Sequence, residues 1–212
     1  MSESCRLPQC PLGRTGLQVS RLALSARSMT VAGPKGLRLG AKDVERAFHE
    51  HGVTTFLVSP GMKDLTEGLR RLVAAGHRDE LVLIGGAALP FGWNVRRAFE
   101  RTVRALGTTS LDVFLLGSVM ARWYFKGDTW AAMQRLKQEG SVRAVGFSSH
   151  KRRLAATLAH EFPVDVLMVR YNVAHRGVET EVFAKLGADR PAVISFTATR
   201  WGVLLRPLPH LG

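Results

Sequence analysis

The chain has 212 residues, 46% of them hydrophobic and 22% charged, which is enough to bury a core as one domain and unlike a disordered chain. Thirty basic residues against 17 acidic ones give a net charge of +13, a balance that attracts anions. No run of about 18 apolar residues suggests a membrane span, and the opening MSESCRLPQC lacks the basic and apolar blocks of a signal peptide, so a cytoplasmic protein is expected.

In chain order, residues 1–20 read as a hairpin. Gly13-Arg14-Thr15-Gly16 forms its turn, placed to plug the bottom of a barrel. Cys5 and Cys10 are expected to be free thiols, and one pair of cysteines makes no four-ligand zinc site. Short apolar runs then alternate with amphipathic ones. The predicted strands are RLALSA (21–26), TTFLVS (54–59), LVLIGG (81–86), DVFLLG (112–117), VRAVGFS (142–148), VDVLMVRYN (164–172) and AVISFTA (192–198). The predicted helices span 41–52, 62–76, 94–107, 128–140, 150–162 and 178–187, several stopping at glycine. In the first, Val44, Ala47 and Phe48 share a face with Glu45 and His49 opposite.

Repeated strand–helix units imply a mostly parallel sheet. No G-x-G-x-x-G follows the first strand, which argues against a dinucleotide-binding open sheet. The predicted fold class is α/β, a (β/α)8 barrel of the TIM type that is incomplete, with seven units over 21–212 behind the hairpin. A seven-stranded barrel has two open edges. Three explanations stand: a truncated fragment, a marginal open barrel, or a sheet edge completed by a partner chain; truncation before the eighth strand is the expected one, because RWGVLLRPLPHLG has no terminal helix pattern and ends in Pro-rich coil. Of the 30 basic residues 23 are arginines, spread mostly over helices as solvated faces, so nucleic acid is not the expected partner. The seven histidines form no metal-binding cluster, and adjacent Ser148, Ser149 and His150 have no nucleophile-elbow sequence around them; Ser149 or His150 is expected to open the following helix.

Seven segments, in register from about residue 11 to 205, resemble the aldo-keto reductases. LGRTGLQVSRLALSA resembles their opening L-G-x-T-G-x-x-V-S, GVTTFLVS their G-I-N-F-F-D-T-A, and HRDELVLIGG their R-D-E-x-x-I-x-T-K. LDVFLLG resembles L-D-L-Y-L-L-H, and LKQEGSVRAVGFSS resembles L-x-x-x-G-K-V-R-x-I-G-V-S-N. VDVLMVRYN and VISFTATRWGVLL resemble I-D-V-x-Q-x-x-Y-N and V-I-A-Y-S-P-L-x-x-G-x-L.

The resemblance implies a barrel that moves a hydride between NADPH and a carbonyl, with an Asp, Tyr, Lys and His tetrad. Here those four positions fall on Leu57, Met62, Gly86 and Gly117, none of which titrates near neutral pH. The expectation is a family-like protein without the family's carbonyl reduction, and with no metal. On the cofactor side the resemblance points to Ser148, Ser149 in place of an Asn, Asn172, Phe196 and Thr197, with Met168 replacing a Gln, so NADPH meets a weakened site. Arg122, Trp123, Tyr124, Arg170, Tyr171, Arg200 and Trp201 follow or end strands and form a cationic, aromatic mouth suited to a small anionic ligand or nucleotide. An NADPH-dependent enzyme using Tyr124 or Tyr171 as proton donor, and a partner-completed interaction protein, are the alternatives.

Overall fold

The computed structural model describes residues 6–25, 40–59, 61–125, 127–188, 190–200 and 203–205. Its first element is the expected hairpin, in which β1 (Gln9–Pro11) pairs antiparallel with β2 (Gln18–Ser20). The turn takes left-handed backbone at Gly13 and Gly16, with φ of 53° and 74°, where a side chain would be strained. The Thr15 hydroxyl donates to the Leu12 carbonyl at 2.7 Å and holds the turn together.

Seven strands follow: β3 (Ala23–Ser25), β4 (Thr55–Leu57), β5 (Val82–Ala87), β6 (Leu111–Leu116), β7 (Val142–Ser149), β8 (Val166–Arg170) and β9 (Ala192–Phe196). They form one parallel sheet in chain order, a curled, incomplete barrel whose edges are β3 and β9 among the described residues. Helices α1 (Ala41–His49), α2 (Lys63–Ala74), α3 (Gly92–Leu106), α4 (Asp128–Gln138) and α5 (Arg152–Glu161) connect successive strands. Between β8 and β9 a π-helical turn (Glu179–Phe183) runs into the short α6 (Ala184–Leu186). Val44 and Phe48 are the buried face of α1.

Strand side chains alternate between two faces, and here the alternation sorts them into two cores. Val82, Ile84, Val113, Leu115, Ala144, Val166 and Ala192 face inward, where Leu12, Leu17 and Val19 of the hairpin pack against them. Phe56, Leu83, Phe114, Leu116, Val145, Phe147, Leu167 and Val169 face outward, under the helices. Burying both faces requires near-continuous apolar strands, which is what the sequence supplies.

Two aspartates knit the strand starts. Asp112, 5% exposed, accepts the Leu83 N–H at 2.9 Å and pairs with Arg78 at 3.1 Å. Asp165 does the same one layer on, accepting the Val145 N–H at 2.9 Å and the Lys137 ammonium at 2.6 Å. The helix arginines are largely held in surface ion pairs: Arg70 and Arg71 with Glu67, Arg96 with Glu100 and Glu139.

β7 passes close to β8 at Gly146, where a Cβ would overlap the Val166 carbonyl oxygen. Gly146→Ala should therefore destabilise the fold by at least about 1–3 kcal/mol, the usual cost of overpacking, read as a lowered thermal unfolding midpoint.

Candidate functional site

The inward register continues to the C-terminal ends of the strands. It brings Ser25, Leu57, Gly86, Gly117, Ser148, Arg170 and Phe196 to one mouth, one residue from each of seven successive strands or strand ends. Three of the positions that resemblance assigns to the tetrad, Leu57, Gly86 and Gly117, lie in this layer. The fourth, Met62, caps the start of α2 beside it, with its Sδ 3.9 Å from the Ser25 hydroxyl. Leu57 packs on the inner core.

The glycines are close-packed. A Cβ on Gly86 would stand 2.5 Å from the Leu115 carbonyl oxygen, and one on Gly117 would stand 3.3 Å from that of Ala87. A lysine at position 86 would require β5 and β6 to move apart.

The charged chemistry of the mouth sits on the other side, on β7–β9. An Arg170 terminal nitrogen lies 3.4 Å from His150 Nδ1, and its guanidinium carbon lies 6.0 Å from the Phe196 ring centroid. The His150 ring meets Phe196 edge-on at 4.7 Å. Burial and the Arg170 charge both push the His150 pKa below the ordinary imidazole value, burial being the larger cause. Arg170 Nε is buried with no hydrogen-bond partner among the described residues. A buried charged donor left unpaired is costly, so this atom is suited to an incoming acceptor.

The other cofactor-side residues divide. The Ser148 hydroxyl lies at the mouth and accepts the Ser118 N–H at 2.8 Å. Ser149 is 1% exposed and faces outward; its hydroxyl donates to the Val119 carbonyl and accepts the Lys151 N–H, which sets the turn into α5. Asn172 donates to the Thr197 carbonyl at 2.8 Å while its oxygen accepts from Ala174 N–H. Thr197 turns its hydroxyl back to the Phe196 carbonyl. Ser118, Thr197 and Arg200 have positive φ of 50°, 54° and 49°. All three follow strand ends at this face, where such strain is commonly concentrated.

The aromatic candidates lie farther out. The Tyr171 hydroxyl donates to Glu179 at 2.7 Å, and its ring packs edge-on against Phe183. That hydrogen bond, with burial behind it, pushes the phenol pKa up. Arg122, Trp123 and Tyr124 lie on a 3-10 turn (Arg122–Phe125) draped over the helix layer. Arg122 pairs with Glu161 at 3.1 Å, Trp123 stacks on Tyr124, and Phe125 is buried against Phe147 and Phe162. Arg200 is exposed in the turn after β9, and Trp201 lies outside the described residues. Phe91, Trp93, Met120 and Val173, all exposed, follow strand ends at this face. Among the described residues no group of three His, Cys, Asp or Glu could hold a metal ion, and no helix is long and apolar enough to cross a membrane.

His150 is the member of the mouth that sequence reasoning assigned elsewhere, to a helix start. Its position two residues beyond inward-facing Ser148 was the available signal. α5 instead begins at Arg152.

The Aldo/keto reductase family model matches residues 91–206. A Pseudomonas aeruginosa protein described as an aldo-keto reductase superposes with a TM-score of 0.72 at 23% identity, covering 87% of this chain and 76% of its own. The Bacillus halodurans aldo-keto reductase in its holo form gives 0.77 at 19% identity, over 97% of this chain and 71% of its own. The Bombyx mori aldo-keto reductase in complex with NADP gives 0.71 at 17%, over 91% and 66%.

The imidazole of His150 takes a proton less readily in the fold than in the unfolded chain. Its contribution to stability is thus present above the unfolded value of about 6.5 and lost as pH falls through the lower folded value. An NMR titration should place the His150 midpoint below that of an unfolded peptide, and Arg170→Gln should move it upward.

Proposed function

This chain belongs to the aldo/keto reductase family, and from that premise we propose that it is a ligand-binding member that holds an anion at the barrel mouth and does not perform the family's NADPH-dependent carbonyl reduction. The observation that carries this reading is Arg170, a cation at the end of β8 whose Nε is buried without an acceptor. A charge-assisted bond to a phosphate or carboxylate would satisfy it. Ser148 and His150 add polar groups beside it, and Phe196 adds a ring face. The exposed aromatics after the strand ends suit a ligand with an apolar or ring-bearing body.

Carbonyl reduction needs a proton donor beside the carbonyl oxygen. Leu57, Met62, Gly86 and Gly117 offer none. Tyr171 is drawn outward to Glu179 with its pKa raised, which makes it a poorer acid. Tyr124 packs against the outer core and Trp123. Neither arrangement favours a substitute donor.

A nicotinamide nucleotide fits this mouth through Ser148, Phe196 and the Arg170 charge. Ser149 and Asn172 are spent on backbone bonds. When bound, such a cofactor supplies a hydride. This chain's part is then to bind its anionic groups.

Titration of the protein with pyrophosphate and with NADPH, followed by tryptophan fluorescence, should show saturable binding. Arg170→Gln should weaken it by about tenfold or more, the scale of a hydrogen bond to a charged group. NADPH-dependent turnover of an aromatic aldehyde panel, or binding indifferent to Arg170→Gln, would contradict the proposal.

A further inference from the structure

Helix α3 carries an uncompensated line of charge on its outer face. Its buried side is Gly92, Val95, Phe99, Thr102 and Leu106. At about 100° per residue, Trp93, Arg97, Arg101 and Arg104 fall together on the opposite side, and all four are exposed. The line is about 17 Å long at the helical rise per residue. Among the described residues none of the three guanidinium groups has an ion-pair or hydrogen-bond partner. Arg96, on the flank of the same helix, is held instead by Glu100 and Glu139. Two acids stand near the line without entering it. Glu100 is spent on Arg96, and Asp128 lies beside Gly92 on the buried side of the helix.

The N-terminal end of the line is apolar. Leu89, Phe91 and Trp93, in the turn before α3 and its first residues, are 51%, 44% and 59% exposed. The Phe91 and Trp93 rings lie 10° from parallel, with 6.1 Å between centroids. Single exposed apolar side chains are ordinary, whereas a contiguous group marks a contact surface.

Charge and shape select the occupant, which has to be anionic along the helix and apolar beyond its end. Single-stranded nucleic acid is held by a groove and by open ring faces. Here the helix face is convex, and the two rings are stacked on each other. A bilayer supplies both partners at once: headgroup phosphates for the arginines, and an apolar layer for Leu89 and Phe91. The indole of Trp93, between them, suits the boundary of the two.

We infer that the outer face of α3, with the turn before it, is a peripheral docking surface for an anionic phospholipid bilayer. Leu89 and Phe91 enter the interface, and Arg97, Arg101 and Arg104 lie against the headgroups. The surface belongs to the helix layer and makes no use of Arg170, which ends β8.

The probe is co-sedimentation of the full chain with vesicles of equimolar phosphatidylcholine and phosphatidylglycerol, against vesicles of phosphatidylcholine alone. The protein should sediment with the anionic vesicles only. About 1 M NaCl, which shortens the screening length to about 3 Å, should release it. Combining Arg97→Gln, Arg101→Gln and Arg104→Gln should lower partitioning about a hundredfold, the scale of three basic residues at an anionic surface. Glutamine keeps the helix, and circular dichroism checks the fold. Leu89→Ser with Phe91→Ser should lower it about tenfold, and Arg170→Gln should leave it unchanged. Brominated phospholipid should quench tryptophan emission, and less so in Trp93→Phe, a readout that needs no charge variant. The inference is overturned by equal binding to both vesicles or to neither, by indifference to the arginine triple variant, by loss that follows Arg170→Gln instead, or by tighter binding to a single-stranded oligonucleotide that the triple variant abolishes.

Discussion

The two-residue period of the parallel strands is the constraint on which the rest depends. Each strand from β4 to β9 places alternate side chains inside the barrel and under the helices. That period fixes the floor, where Leu12, Leu17 and Val19 of the hairpin meet Val82, Val113 and Val166. It also fixes the mouth, where the last inward residue of each strand is the one that can meet a ligand. A shift of one residue in any strand would exchange its interior for its exterior.

At the mouth this constraint leaves glycine on β5 and after β6, and arginine on β8. The glycines do more than omit a side chain. At Gly86 the neighbouring backbone has closed to a distance that excludes a Cβ, with Gly146 as a parallel case on β7. Close strand approach and the absence of a side chain are thus one feature. The cationic group of the mouth stands instead on β8, where Arg170 shares its surroundings with His150 and Phe196. The proposal of an anionic ligand rests on that placement, because a positive group beside aromatic rings favours an acceptor and a flat body.

Much of the fold was legible in the sequence, because apolar runs of strand length and amphipathic runs of helix length differ in period. All seven expected strands are present, with ends shifted by at most two residues, and the hairpin turn is where Gly13 and Gly16 placed it. The helices mostly stop short of the glycines; α1 ends at His49, and Gly52 lies beyond it with a left-handed φ of 66°. The site was less legible. Arg122 finds Glu161 and Tyr171 finds Glu179, partners that strand period alone does not assign.

The most direct measurement of the central claim is side-chain NMR of the Arg170 Nε–H during addition of pyrophosphate. If Arg170 holds the anion, this one arginine signal moves with saturation and its hydrogen exchange slows as the unpaired donor gains an acceptor. An Arg170 signal that stays in place while pyrophosphate saturates the protein elsewhere would contradict it.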